Sequence, residues 1–144
     1  MKNKAINTMK LEFDAISCNE SFARSAVCAF VAQLDPTMSE LTEIRTVVSE
    51  AVTNSIVHGY AGRSGKVLLD VAIYADRRVR IKVKDKGCGI ADIEQARKPL
   101  YSTDPSGERG GMGFSIMESF TDSIKIVSVP GRGTSVSMMK RLRG

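Results

Sequence analysis

The sequence predicts a single α+β domain in which a sheet of hairpin-connected strands lies beside helices. Residues 66–76 and 78–84 alternate apolar with polar side chains across a short turn, as the two strands of a hairpin do. Residues 37–59 instead repeat apolar side chains at helical spacing. A chain of 144 residues is long enough for one domain with its own core.

Composition and charge narrow the class of protein. Apolar residues make up 42% of the chain and charged residues 26%, which are values of a globular protein. The net charge of +5 is spread along the sequence apart from a short basic tail, which argues against direct binding of nucleic acid. The 3 cysteines have no paired spacing, and no apolar run is long enough to span a membrane. We therefore expect a cytoplasmic protein without a disulfide framework or a membrane partner.

The chain opens with a strand and a helix. Residues 9–15 alternate and predict the first strand. Ser17 and Glu20 have the spacing of a capping box, in which the serine caps the helix and the glutamate reaches back to it. Pro36 ends the helix. Its buried face is predicted to contain the apolar residues Phe22, Ala26, Ala29 and Phe30.

A second helix carries two polar side chains near its buried face. Thr37 and Glu40 repeat the capping-box spacing, and apolar residues then recur as far as a stop at Gly59. Glu50 and Asn54 lie one helical turn apart with apolar or small neighbours. Unpaired polar groups are costly at the edge of a buried face, so this pair marks a candidate site. The alternative is a solvated pair on the outer face of the helix.

The second strand of the hairpin ends in the pattern Asp85-x-Gly87-x-Gly89. Such a pattern fixes a carboxylate at the mouth of a pocket and leaves backbone accessible to a ligand. An ordinary loop after a strand is the alternative. Cys88 is predicted to be a small buried hydrophobe, and the single histidine, His58, is predicted to be structural rather than catalytic.

A long loop and a glycine-rich segment follow. Residues 91–97 predict a short helix, and residues 98–110 form a loop of the length that often serves as a lid. Gly111 and Gly113 then open another helix. Free backbone amides at such a start attract anions. A flexible loop without a ligand is the alternative.

The last part of the chain predicts two more strands. Residues 124–128 and 134–138 both alternate, and a proline- and glycine-containing turn separates them. No internal repeat or domain boundary interrupts the sequence, so these strands are expected to join the same sheet.

Taken together, these motifs resemble those of the GHKL superfamily of ATPases and kinases, whose ATP site is called the Bergerat fold. Glu50-x-x-x-Asn54 resembles its helical N-box and Asp85-x-Gly87-x-Gly89 its first glycine box. The second glycine box and the last-strand box are matched by Gly111-Met112-Gly113-Phe114 and Gly133-Thr134. The resemblance implies one ATP-binding kinase domain over residues 1–144 with a lid at 98–110. The implied architecture is a two-layer α/β sandwich with a mixed, mostly antiparallel sheet and helices packed on one face.

Within the superfamily, residues 19–24, 34–37, 48–54 and 58–60 are similar to the bacterial anti-sigma factor serine kinases. This resemblance implies a homodimer that binds and inhibits a sporulation sigma factor of the sigma-F type. It also implies that the protein binds the sigma factor with ATP or ADP bound and uses ATP and Mg²⁺ to phosphorylate a serine of an anti-anti-sigma protein. A general-stress kinase of the anti-sigma-B type, and a nucleotide-gated binding module without kinase activity, are the alternatives.

The resemblance also implies roles for the residues that bind nucleotide. Asp85 accepts a hydrogen bond from the exocyclic amine of adenine, and Thr134 places a hydroxyl near the same base. Gly87 and Gly89 let the backbone approach the base. Asn54 is the ligand of Mg²⁺, which prefers few protein oxygens together with phosphates and waters.

Roles in catalysis and partner binding follow from the same resemblance. Gly111 and Gly113 let the lid wrap the phosphates, and Arg109 neutralises the terminal phosphate. Glu50 is the general base that accepts the proton of the substrate serine. Arg24, on the first helix, contacts the protein partner.

Overall fold

The computed structural model describes residues 4–97 and 113–144. The strands and α-helices in chain order are β1 (Asn7–Asp14), α1 (Cys18–Val31), α2 (Met38–Thr53), β2 (Lys66–Ile73), β3 (Arg78–Asp85), α3 (Ile93–Ala96), α4 (Phe114–Ser119), β4 (Ser123–Val129) and β5 (Gly133–Arg141). A short 3₁₀ turn (Ala32–Leu34) follows α1, and a π-helical segment (Asn54–Gly59) continues α2. The predicted lid at 98–110, with Arg109 and Gly111, lies outside the described residues.

The strands form one sheet with the order β1-β2-β3-β5-β4. Each described pair is antiparallel, so the sheet is antiparallel rather than mixed within the described part of the chain. Alternate side chains of the strands enter one core with α1, α2 and α4, whereas the basic side chains of β3 lie on the opposite face. The α+β fold with helices against one face of a sheet is confirmed.

Helix α1 differs from its prediction in two respects. Ser17 has helical φ and ψ and makes no capping hydrogen bond with its side chain, because an N-cap residue needs an extended backbone. The Glu20 carboxylate instead accepts a hydrogen bond from the Ser49 hydroxyl of α2. The predicted buried face is also wrong: Phe22 is 52% exposed, and the residues buried on α1 are Ala23, Val27 and Val31.

Helix α2 begins with the capping box that its sequence predicts. The Glu40 amide donates to Thr37 Oγ1 at 3.1 Å, and the Thr37 amide donates to Glu40 Oε1 at 2.9 Å. The second carboxylate oxygen of Glu40 accepts from the Arg143 amide at 2.6 Å. This contact ties the end of β5 to the start of α2, and Lys140 adds an ion pair with Glu43 at 2.8 Å.

The π-helical segment changes the winding of the second helix where its polar residues begin. Segments of this kind occur mostly as single turns within α-helices and are frequent at functional sites. Five of its six residues are buried, Asn54, Ser55 and His58 among them. The helix therefore stops presenting an apolar stripe and turns polar side chains inward. Among the described residues, no helix is long and apolar enough to cross a membrane.

Candidate functional site

Three neighbouring strands each have a polar residue at the same end of their inward-facing row of side chains. Along β3 the row ends at Asp85, along β5 it begins at Thr134, and along β4 it ends at Ser128. Asp85 pairs with Thr134, and Thr134 pairs with Ser128, in the register of the sheet. A polar row therefore crosses the inner face of the sheet at one end of an otherwise apolar core.

Asp85 is the most constrained member of this row. Its side chain is 5% exposed, and its Oδ1 accepts from the Gly87 amide at 2.9 Å. Burial raises the pKa of Asp85 above its ordinary value. Hydrogen bonds from the Gly87 amide, the Ser55 hydroxyl and the Thr134 amide favour the carboxylate and offset only part of that effect.

The glycines after Asp85 meet other parts of the backbone. An added Cβ at Gly87 would overlap the carbonyl of Gly59, and the Cys88 amide donates to that same oxygen at 2.7 Å. Gly89 has φ of 75°, and an added Cβ there would overlap the Val129 carbonyl. The loop is thus held between the π-helical segment and the β4–β5 turn. These two glycines are explained by packing within the protein, and Gly87 supports Asp85 rather than lining the cavity.

A cavity of about 680 Å³ opens beside this loop. Its volume lies within the range of small-molecule sites. The cavity is lined by residues from the second helix, the loop after β3, the start of α4 and β5: Ala51, Asn54, Ser55, Val57, His58, Gly59, Ala61, Asp85, Cys88, Gly89, Ile90, Ala91, Asp92, Gln95, Phe114, Thr134 and Val136. Of the predicted site residues, the structure brings Asn54, Asp85, Gly89 and Thr134 together here.

Asn54 and Ser55 enter the cavity from the π-helical segment. Asn54 is 7% exposed and offers one amide oxygen. The described residues contain no cluster of three or more His, Cys, Asp or Glu that could hold a metal by themselves. One amide oxygen in a cavity fits Mg²⁺ that takes its other ligands from phosphates and water.

Glu50 lies one turn before Asn54 and does not line the cavity itself. An added Cβ at Gly113 would overlap the Glu50 carboxylate, so the two residues are in direct contact. Gly113 has φ of 75° at the N-terminus of α4. Glycine is therefore required here both by backbone conformation and by the neighbouring carboxylate.

Several residues that build the site belong to none of the predicted motifs. Ser55 bonds Asp85, and the Tyr60 hydroxyl accepts from the Lys86 amide at 2.9 Å while donating to the Lys66 carbonyl. Ser128 accepts from the Ile90 amide at 2.7 Å. The available signal for Ser128 is a serine in the inward-facing row of β4, after Ile124 and Ile126.

Two residues without a predicted role in binding, Cys88 and His58, also line the cavity. Cys88 was expected to be buried, but it is exposed and lines the cavity, with its thiol 3.2 Å from the His58 carbonyl oxygen. The Cys88 amide donates to the Gly59 carbonyl, and the Cys88 carbonyl accepts from the Gly131 amide. These two hydrogen bonds fix the backbone and leave the side chain on the cavity wall. His58 is buried at the end of the π-helical segment.

Arg24 lies away from the cavity, on the outer side of the helical layer. Its side chain is 39% exposed and stands 3.8 Å from Glu20, which is a weak contact at this exposure. It lines a separate groove with Ser25, Cys28 and Arg45.

The chain is similar to known proteins over most of its length. The family of the histidine kinase-like ATPase domain matches residues 19–140. The chain is 56% identical over 137 residues to the anti-sigma F factor of Bacillus subtilis (strain 168), covering 94% of this chain and 93% of that protein. It is 55% identical over 138 residues to the anti-sigma F factor of Pasteuria penetrans, covering 95% of this chain and 92% of that protein.

Solved structures share the fold at lower sequence identity. The RsbU and RsbW domains of Rv1364c from Mycobacterium tuberculosis align with a TM-score of 0.70 at 22% identity, covering 96% of this chain and 33% of that chain. The SiaB-SiaC complex from Pseudomonas aeruginosa aligns with a TM-score of 0.55 at 14% identity, covering 90% of this chain and 88% of that chain. These likenesses support the architecture of the sheet and helices.

Proposed function

The chain belongs to the histidine kinase-like ATPase domain family and, within it, to the anti-sigma F factors, and on this basis we propose its activity. It binds and inhibits a sporulation sigma factor, and it transfers the γ-phosphoryl group of ATP to a serine of an anti-anti-sigma protein. The observation that carries the proposal is the arrangement of the cavity. A buried carboxylate, Asp85, lies in the same cavity as Asn54, which follows Glu50 by one turn of helix.

The adenine base is proposed to bind at the polar row. Asp85 accepts from the exocyclic amine, and Thr134 offers its hydroxyl beside it, since the two residues are paired across β3 and β5. Ile90 and Val136 supply apolar wall on either side. A mostly apolar cavity with a few converging polar groups is typical of a small-molecule site.

The phosphates are proposed to lie toward Asn54 and the start of α4. Asn54 would hold Mg²⁺, which supplies positive charge to neutralise the phosphate oxygens when it is bound. Gly113 lies where α4 begins, next to Glu50. Arg109 and Gly111 are proposed to complete the phosphate site, on the strength of the family resemblance.

Glu50 is proposed to act as the general base. It accepts the proton of the substrate serine while the serine oxygen forms a bond to the γ-phosphorus. The bond between that phosphorus and the oxygen bridging to the β-phosphate breaks, and ADP leaves with the bridging oxygen. Phosphoryl transfer depends mainly on positioning and charge neutralisation, so a glutamate beside a nucleotide cavity is a sufficient base.

The protein partners are proposed to bind at the helical layer. Arg24 lies on α1 with an exposed guanidinium that makes only a long contact with Glu20, which suits a charged contact with a partner. A homodimer is proposed as well. The face of the sheet opposite the helices, and the edge strand β1, are the candidate surfaces for that contact.

The test is transfer of label from γ-labelled ATP with Mg²⁺ to a purified anti-anti-sigma protein, comparing the wild type with Glu50→Gln. We expect acid-stable label on the partner, and a reduction of about 10²- to 10⁴-fold in the variant because a general base is lost. The dissociation constant of ADP should change by less than about 2-fold. Glu43→Gln, on the same helix as Glu50 but outside the cavity, is the matched control.

Other outcomes identify other functions. Equal loss of ADP binding and transfer in Glu50→Gln would contradict the role of the general base. Acid-labile label would indicate histidine phosphorylation, and free phosphate alone would indicate an ATPase. ADP binding without any transfer would support a nucleotide-gated binding module.

A further inference from the structure

The hydroxyl of Ser128 joins three parts of the site without lining the cavity. Ser128 Oγ accepts from the Ile90 amide at 2.7 Å, at the end of the loop that carries Asp85. It lies 2.9 Å from Thr134 Oγ1 and 3.1 Å from the Gly133 carbonyl oxygen. Ile90 and Thr134 both line the cavity, so this one hydroxyl contacts two residues of its wall from behind.

A count of protons restricts how these contacts are made. A serine hydroxyl has one proton to donate and two lone pairs that accept. The Ile90 amide occupies one lone pair of Ser128 Oγ. The Gly133 carbonyl can only accept, so the Ser128 proton points either to that carbonyl or to Thr134.

The two arrangements present different groups to the cavity. If Ser128 donates to Gly133, Thr134 must donate to Ser128, and only the lone pairs of the Thr134 hydroxyl then face the cavity. If Ser128 donates to Thr134, the Thr134 proton is free to enter the cavity. The 2.9 Å distance to Thr134 fits either direction of donation, and donation to the Gly133 carbonyl at 3.1 Å makes both contacts hydrogen bonds. A ligand acceptor beside Thr134 favours the other arrangement, because it gives the released Thr134 proton a partner.

We propose that Ser128 is a positioning residue of the nucleotide site: when the nucleotide binds, Ser128 turns its proton from the Gly133 carbonyl to Thr134, so that the Thr134 hydroxyl donates to the ligand. The proposal rests on the proposed binding of an adenine nucleotide. Adenine carries an amine next to an unprotonated ring nitrogen. An acceptor at Asp85 beside a donor at Thr134 matches that edge, either directly or through a bridging water.

The test compares Ser128→Thr with Ser128→Val, two side chains of nearly the same shape that differ in the hydroxyl. Titration calorimetry with ADP measures the dissociation constant for each. We expect Ser128→Val to bind about 3- to 10-fold more weakly than Ser128→Thr, the effect of one hydrogen bond. In a Thr134→Val background the two variants should agree within about 2-fold, because the group on which Ser128 acts is gone.

Denaturant unfolding of each variant measures the purely structural effect of losing the Ile90 contact. Ser137→Ala, on the opposite face of the same sheet, is the control for a serine change in a strand. Equal ADP affinity of the Thr and Val variants would overturn the proposal. The same ratio with and without the Thr134 hydroxyl would also overturn it, since Ser128 would then act through Ile90. A wild type that binds no ADP would overturn the proposed function together with this inference.

Discussion

Two carboxylates are buried at different ends of the molecule, and their pKa values are shifted in opposite directions. Glu40, at the start of α2, is 9% exposed, and Asp85, at the end of β3, is 5% exposed. Burial alone would raise the pKa of both. At Glu40, hydrogen bonds from Thr37, Arg143 and Gly144 outweigh burial and lower the pKa. At Asp85 burial dominates, and the pKa is raised.

The difference fits a structural role for the Glu40 carboxylate and the proposed ligand-binding role for the Asp85 carboxylate. The donors around Glu40 replace the water that it lost, and they join α2 to the end of the chain. Asp85 has donors that hold its orientation but leave its charge incompletely compensated, and it faces a cavity. A perturbed carboxylate in a cavity is characteristic of functional sites. In the proposed complex, a donor on the ligand would supply further stabilisation of that charge.

The largest expected effect is on ligand binding at Asp85. Asp85→Asn should weaken ADP binding by about 10- to 100-fold, because it removes a hydrogen bond to a charged acceptor. The free energy of unfolding of the nucleotide-free protein should not fall, since a poorly compensated buried charge is removed as well. Calorimetric titration and urea unfolding of the same sample measure both quantities. A loss of stability as large as the loss of affinity would show that Asp85 is structural.

The next effect is on stability at Glu40. Glu40→Gln should lower the free energy of unfolding by about 1–3 kcal/mol, since an amide group would face backbone N–H donors that now have a carboxylate. ADP affinity should be unchanged. Glu43→Gln on the same helix should cost less than Glu40→Gln, because its partner Lys140 keeps an acceptor in the Gln amide oxygen and another in the Phe120 carbonyl. A change in ADP affinity in Glu40→Gln would remove the contrast between the two sites.

The smallest effect is the pH dependence of stability. The lowered pKa of Glu40 gives stability that is present above the ordinary glutamate pKa and is lost as the pH falls through the lowered value. The raised pKa of Asp85 acts oppositely: its stability cost is full above the raised value and disappears below the ordinary aspartate pKa.

Urea unfolding between neutral and acidic pH tests both signs. Asp85→Asn should lose more stability than the wild type as the pH falls, because the relief from protonating Asp85 is gone. Glu40→Gln should lose less. Parallel curves for all three proteins would contradict the assigned pKa directions.

Local patterns predicted the strands and the α2 cap because a few neighbouring residues decide them. Ser17 and Thr37 begin the same motif, yet only Thr37 caps a helix. Thr37 is extended, with ψ of 164°, whereas the turn at Ser17 has already become helical. The motif alone does not specify the backbone that it needs.

Other features depend on the tertiary structure. Helix α1 has apolar residues on more than one side, so periodicity did not decide that Val27 rather than Phe22 would face the sheet. The sequence predicts Asp85 and Thr134 as site residues, but their direct pairing follows from the order of β3 and β5 in the sheet. Ser128 lies beside Thr134 because of the register in which β4 pairs with β5, which local sequence does not determine.

The π-helical segment has a consequence for how such a site can change over time. A π turn holds more residues than an α turn, so residues after it are rotated relative to the apolar stripe of α2. The side chains of α2 that face the core and those of the π-helical segment that face the cavity are therefore oriented independently within one helix. Insertion or deletion of a single residue in Asn54–Gly59 would re-aim the cavity wall while Val47, Val48 and Ala51 kept their places in the core. Evolution or design can thus adjust ligand contacts here by a change in length, which also shifts the Gly87–Cys88 loop held by Gly59 but leaves the core residues of α2 in place.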